Sequence, residues 1–179
     1  MPRLPSVEQL NHLSPAEFAD AAAALFEGAP RFLSRLAARR PFRSTADLFN
    51  AARTLAVEMP PDDQIELLTA HPRIGADPAL VSALSHAEQG YDRATRPGDS
   101  DIASRLQELN QAYEDQFGFR FVVFVAGRSR SAIVPLLEAA LSSARDAELA
   151  RGLEDVVAIA EARLAKLSAA DEPRPTIGA

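Results

Sequence analysis

Phe117-Gly118-Phe119-Arg120-Phe121-Val122-Val123-Phe124-Val125 is the most strand-like run in the sequence, aromatic and β-branched and bounded by Gly118 and Gly127. It is also alone, because the long apolar segments around it repeat at helical spacing. The chain is therefore expected to be all-α, a single-domain multi-helix bundle with one short extended segment near residues 119–126. A lone extended segment has to satisfy its backbone donors and acceptors without a sheet, and one outlet is a bound polar ligand.

Working outward, Ile102, Leu106, Leu109 and Tyr113 recur at i, i+4, i+7 and i+11 and predict a long, well-packed helix just before the run. After it, Ser131 to Ser143 and Arg145 to Leu167 read as two more helices, the second with Leu149, Leu153, Val156, Ala160 and Leu164 turned inward. On the N-terminal side the start signals are explicit. Ser6 with Gln9 and Ser14-Pro15-Ala16-Glu17 are spaced as capping boxes, the second predicting a helix to about Glu27. Arg31 to Arg40 makes a basic amphipathic helix, Ser44 opens another, and Asp62 to Ala70 forms one that must end at His71-Pro72. Residues 1–167 are expected to form the domain, and 168–179 a disordered tail.

Composition narrows the chemistry. The chain has 179 residues, 47 % of them hydrophobic, and a formal net charge of −6, enough for one core and wrong for general nucleic-acid binding. It has no cysteine, so thiol catalysis and cysteine-ligated zinc are excluded. His12, His71 and His86 are too few and too scattered for a histidine-rich metal site. No secretory or membrane-spanning run is apparent, which predicts no membrane partner and a cytoplasmic location.

The candidate chemistry gathers between His71 and Gln89. His71 is expected at a helix terminus with its ring clear of the helix, able to titrate near neutral pH and to give or take a proton. Ser85 with Glu88 has the spacing of a helix cap and its box partner, the plainest reading of that pair. Residues 75–100 read as short pieces and loops, rich in Pro, Gly, Asp and Ser. Arg163, seven residues after Val156, falls on the apolar stripe of the last helix. A charge there calls for a buried partner or a ligand, unless the side chain snorkels past the apolar surface.

The order of these pieces resembles a known family. Leu10-Asn11-His12-Leu13-Ser14, Phe26-Glu27, Arg40-Pro41-Phe42, His71-Pro72-Arg73-Ile74-Gly75, Ser85-x-x-Glu88-Gln89, Leu109-Asn110-x-x-Tyr113, Phe117-Gly118-Phe119 and Ala162-Arg163-Leu164 follow one another as in the 2-oxo-4-hydroxy-4-carboxy-5-ureidoimidazoline (OHCU) decarboxylases. The resemblance implies a cofactor-independent carboxy-lyase of urate and purine breakdown that converts OHCU, a small anionic substrate, to (S)-allantoin, in a homodimer and with no metal. It implies His71 as the catalytic histidine and general acid, with Glu88 as its partner carboxylate. It further implies substrate contacts from Pro72, Ser85, Gln89 and Arg163, and from the backbone of Phe121, Val123 and Val125. Gly90-Tyr91-Asp92 departs from the family's small-residue run after Gln89. That departure leaves open a non-catalytic helical binding module, or a decarboxylase of a related ureido or imino acid.

Overall fold

The computed structural model describes residues 5–89 and 99–169, and among them every regular element is helical. Nine α-helices follow in order: α1 (Val7–His12), α2 (Pro15–Ala22), α3 (Pro30–Ala37), α4 (Thr45–Glu58), α5 (Pro61–Ala70), α6 (Ala83–Glu88), α7 (Asp99–Phe117), α8 (Arg130–Ala140) and α9 (Arg145–Ala169). The segment after Gln89, residues 90–98, and most of the expected tail, 170–179, lie outside the described residues. None of the described helices is long and apolar enough to cross a membrane.

The early helices start where their caps predict. Ser6 and Ser14 each close a capping box, with Gln9 and Glu17, and Ser44 accepts from the Asp47 N–H. Helix α2 ends sooner than its alanine-rich sequence suggests. It stops at Ala22, and turns carry the chain to Glu27 and Gly28, both in the left-handed region with φ of 51° and 74°. Local propensity favours continuing that helix, so the reason lies at long range, in what Glu27 bonds.

The core is one cluster of aromatic and aliphatic side chains in which α9 packs on α4 and α5, α3 on α2, α4 and α5, and α7 on α8. Gly152 sets the approach of α9 to α5, because a Cβ there would stand 3.1 Å from Leu68 Cδ2. The arginines of α3 and of the segment between α3 and α4 are paired within the protein. Arg31 and Arg35 pair with Asp63, Arg39 with Glu58 and Arg43 with Asp47, while Arg40 donates to the carbonyls of Leu10 and Ala37.

The run from Phe119 to Val125 forms no helix and pairs with no strand among the described residues. Gly118, at φ 76°, turns the chain out of α7, and Ala126-Gly127, at φ 50° and 76°, turn it back with the Arg128 N–H donating to the Val125 carbonyl at 3.0 Å. The Tyr113 ring holds the run from below, 5.8 Å from the Phe119 centroid and 5.1 Å from that of Phe121.

Candidate functional site

His71 is the C-cap of α5, where Pro72 ends the helix. Its ring does not stand clear. It folds back so that Nδ1 lies 3.2 Å from the Leu67 carbonyl, and the residue is 3 % exposed. A carbonyl can only accept, so Nδ1 carries the proton and Nε2 of the neutral ring keeps its lone pair. Burial, reinforced by the positive charge of Arg163, pushes the His71 pKa down to about 4, so the ring is neutral across the physiological range rather than titrating within it. Nε2 is buried and has no partner among the described residues. Arg120 secures the backbone beneath this ring, donating to the carbonyls of Thr69 and His71 that the end of α5 leaves over.

Glu88 and Ser85 come from α6, whose N-cap is Ser82, accepting from the Ser85 N–H. Ser85 therefore lies inside the helix and does not cap it, and its hydroxyl is directed to longer-range partners. It donates to Glu27 Oε1 at 2.6 Å and accepts from Arg163 Nη2 at 2.9 Å. Arg163 is fully buried on α9. It forks onto Glu88 through Nε and Nη2, both at 2.9 Å, reaches Glu27 at 2.6 Å, and gives Nη1 to the carbonyls of Ala24 and Leu25. Its N–H donors, five in a guanidinium, are all spent on protein acceptors.

Glu27 carries no role in the sequence reading, yet it anchors this network. Burial opposes its ionisation, but Arg163 and the Ser85 and Ser82 hydroxyls outweigh that and hold its carboxyl below the usual range. The one local signal for it was the glycine that follows, which helps the chain through a left-handed corner.

Gln89 ties α6 to the turn after His71. Its Oε1 accepts from the Gly75 N–H at 2.8 Å and its Nε2 donates to the Arg73 carbonyl. Gly75 has to be glycine, with φ at 77° and Leu106 Cδ1 standing 3.0 Å from where a Cβ would sit.

The extended run closes the opposite wall. In an extended chain alternate residues present their N–H and C=O groups to opposite edges. The Val122 carbonyl accepts from Arg151 at 2.8 Å, the Phe124 carbonyl accepts from Arg128 at 2.6 Å, and the Phe124 N–H lies against the Asp155 carboxylate. That edge is fastened to α9 and to the turn. On the other edge, no described protein group hydrogen-bonds the N–H or C=O of Val123, which borders the cavity.

These walls enclose a cavity of about 290 Å³. His71, Pro72, Ser85, Glu88, Gln89, Phe121, Val123, Val125 and Arg163 all line it, so every residue singled out from the sequence converges on one place. Ile74, Ile159 and Lys166, which the sequence reading passed over, line it as well. Among the described residues, no group of three or more His, Asp or Glu side chains is arranged to hold a metal ion.

Fold and cavity together define a scaffold that is helical throughout its regular elements among the described residues, with a small pocket lined by a buried, neutral histidine whose Nε2 is unpartnered among them. Residues 11–165 match the family model for OHCU decarboxylase. The chain is 31 % identical over 161 residues to the 2-oxo-4-hydroxy-4-carboxy-5-ureidoimidazoline decarboxylase of Haloferax volcanii, covering 90 % of this chain and 95 % of that one. It is 32 % identical over 165 residues to the decarboxylase of the same name from Halalkalicoccus jeotgali, covering 91 % and 92 %. In fold it is similar to a crystal structure of OHCU decarboxylase in the presence of (S)-allantoin, with a TM-score of 0.66 at 22 % identity over 84 % of this chain and 98 % of that one. The chain belongs to the OHCU decarboxylase family.

Proposed function

We propose that this protein decarboxylates OHCU to (S)-allantoin in urate degradation and that His71 is its proton carrier. The reading rests on family membership, and the observation that carries it is the buried, unpartnered Nε2 of a neutral His71 on the cavity wall. A neutral imidazole with Nδ1–H fixed to a carbonyl offers a base at Nε2 and not an acid. His71 therefore first accepts a hydrogen bond from the substrate hydroxyl. As the C–C bond to the carboxylate breaks, CO2 leaves and the electron pair passes into the neighbouring C=N, whose nitrogen takes a proton from solvent. The product of that step is a hydroxy-enamine. Nε2 removes the hydroxyl proton as the carbonyl forms and returns it to the adjacent carbon, creating the stereocentre.

Glu88, held by Arg163, and the open backbone edge at Val123 orient the ring and its ureido arm through polar contacts of fixed geometry. Ser85, Gln89 and Arg163 act chiefly by holding other groups in place, since their side chains hydrogen-bond to protein groups. Pro72, Phe121 and Val125 shape the walls. Homodimeric assembly belongs to the same reading and rests on the resemblance, while a cytoplasmic location rests on the lack of an apparent secretory or membrane-spanning run in the sequence.

The test is the circular-dichroism trace of allantoin formed from freshly generated OHCU. A single enantiomer, formed faster than without protein, is expected. His71→Asn should keep the fold and lower the rate by about 10³-fold, within the range of general acid–base contributions. Racemic product at the uncatalysed rate from the unaltered chain would overturn the reading.

A further inference from the structure

The cavity has a charge problem that Arg163 does not solve. Arg163 is faced by two carboxylates, Glu27 and Glu88, and its donors are used up on them, on Ser85 and on the carbonyls of Ala24 and Leu25. With His71 neutral, the inner part of the site holds one more negative charge than positive. An anionic substrate entering it needs a cation that is free to turn towards it.

One cation in the lining has no partner among the described residues. Lys166 is the only lysine of the chain's nineteen basic residues, and it stands three residues after Arg163, which places both on one side of α9. It lines the cavity and is exposed, at the rim, where Arg163 is buried. Every arginine among the described residues is committed to a carboxylate or carbonyl oxygen. Lys166 has no such partner among them.

We propose that Lys166 receives the carboxylate of the incoming substrate at the cavity rim, and so sets a preference for the acid over the uncharged product. This rests on the decarboxylase reading and specifies which group answers the substrate's charge. A lysine suits the task better than an arginine. Its compact, hydrated charge on a flexible stem draws an anion in without locking the carboxylate into a rigid fork. A rim contact made equally in the ground and transition states acts on KM more than on kcat. That limits the cost of stabilising a group that has to leave.

The test pairs two variants, Lys166→Met and Lys166→Arg, with two readouts. In steady state with fresh OHCU, Lys166→Met should raise KM about tenfold with a smaller change in kcat and flatten the salt dependence of kcat/KM, while Lys166→Arg restores most of the KM. By calorimetry, Lys166→Met should weaken the binding of hydantoin-5-acetate, an anionic ring, and leave that of neutral (S)-allantoin unchanged. Equal KM and equal hydantoin-5-acetate affinity in Lys166→Met and the unaltered chain would overturn the assignment. If the unaltered chain does not accelerate OHCU decay, the decarboxylase reading fails on that arm, and the calorimetric arm still decides whether Lys166 selects the carboxylate.

Discussion

Helix α9 carries two arginine networks, and they solve different problems. Twelve residues separate Arg151 from Arg163. Arg151 bonds Glu148 and Asp155 along its own helix and extends Nη1 to the Val122 carbonyl, with its guanidinium 4.7 Å from the Phe121 ring centroid. The Tyr113 hydroxyl completes this cluster by donating to Glu148 at 2.9 Å. Arg163 reaches no part of the extended run. It draws carboxylates from two distant elements, Glu27 and Glu88, to one point and satisfies the carbonyls where the chain leaves α2. The first network fixes a backbone edge, and the second fixes charges. Their exposure differs accordingly: the Arg151 side chain is 32 % exposed and the Arg163 side chain 1 %.

The sharpest break in this contrast comes from Arg163→Met. It leaves the partly buried Glu27 and Glu88 without a counter-charge and should cost about 3–5 kcal/mol in urea unfolding, with activity lost. A loss under 1 kcal/mol would mean that water already screens the pair.

Acid should separate the networks by sign. His71 in the folded chain titrates near 4 against about 6.5 unfolded, so below pH 6.5 the unfolded chain takes the proton first. Stability should fall by about 3 kcal/mol as pH drops from 6.5 towards 4, a slope that His71→Asn removes. Glu27, also lowered, adds to the loss further into the acid range. In the other network burial raises the Asp155 carboxyl against the pull of Arg151, so protonation there favours the folded state. The rate should be level from about pH 5.5 to 8 and fall below that range, because the base stays neutral until Nε2 is protonated. A rate that breaks near 6.5 would show that the ring is solvated.

Arg151→Met should cost less than Arg163→Met, about 2 kcal/mol, since its partners keep Tyr113 and some solvent. Its distinctive mark is a raised KM from a loosened Val122 edge, measured with OHCU. Smallest of all, Tyr113→Phe should cost about 1 kcal/mol and leave the rate unchanged, because it removes one donor from Glu148 and nothing from the cavity.

The sequence made some of this visible and hid the rest for physical reasons. The helical class was legible because Ser6, Ser14 and Ser44 announce helix starts locally, and because the run ending at Val125 had no second strand. His71 at a helix end followed from Pro72. Its tautomer and acid shift did not, because they depend on burial and on Arg163, which lies 92 positions away in the chain. Ser85 was misread as a cap because Ser82 offers the same hydroxyl three residues earlier, and spacing alone cannot choose between them. Arg163 stood out as a charge on an apolar stripe, but its acid partners could not be read from periodicity. Arg151, half-exposed beside ordinary i−3 and i+4 acids, gave no sign of holding a distant carbonyl.

Glu27 has a consequence beyond electrostatics. A left-handed backbone at a residue with a side chain costs about 1–2 kcal/mol, and here three groups repay it: Ser82, Ser85 and Arg163. The corner after α2 is therefore under tension that only an assembled cavity relieves. The Gly28 amide, bonded to the Ala23 carbonyl at 2.9 Å, sits on that corner. Its hydrogen-exchange rate is a gauge, far from the reacting atoms, of how often the pocket's charges come apart.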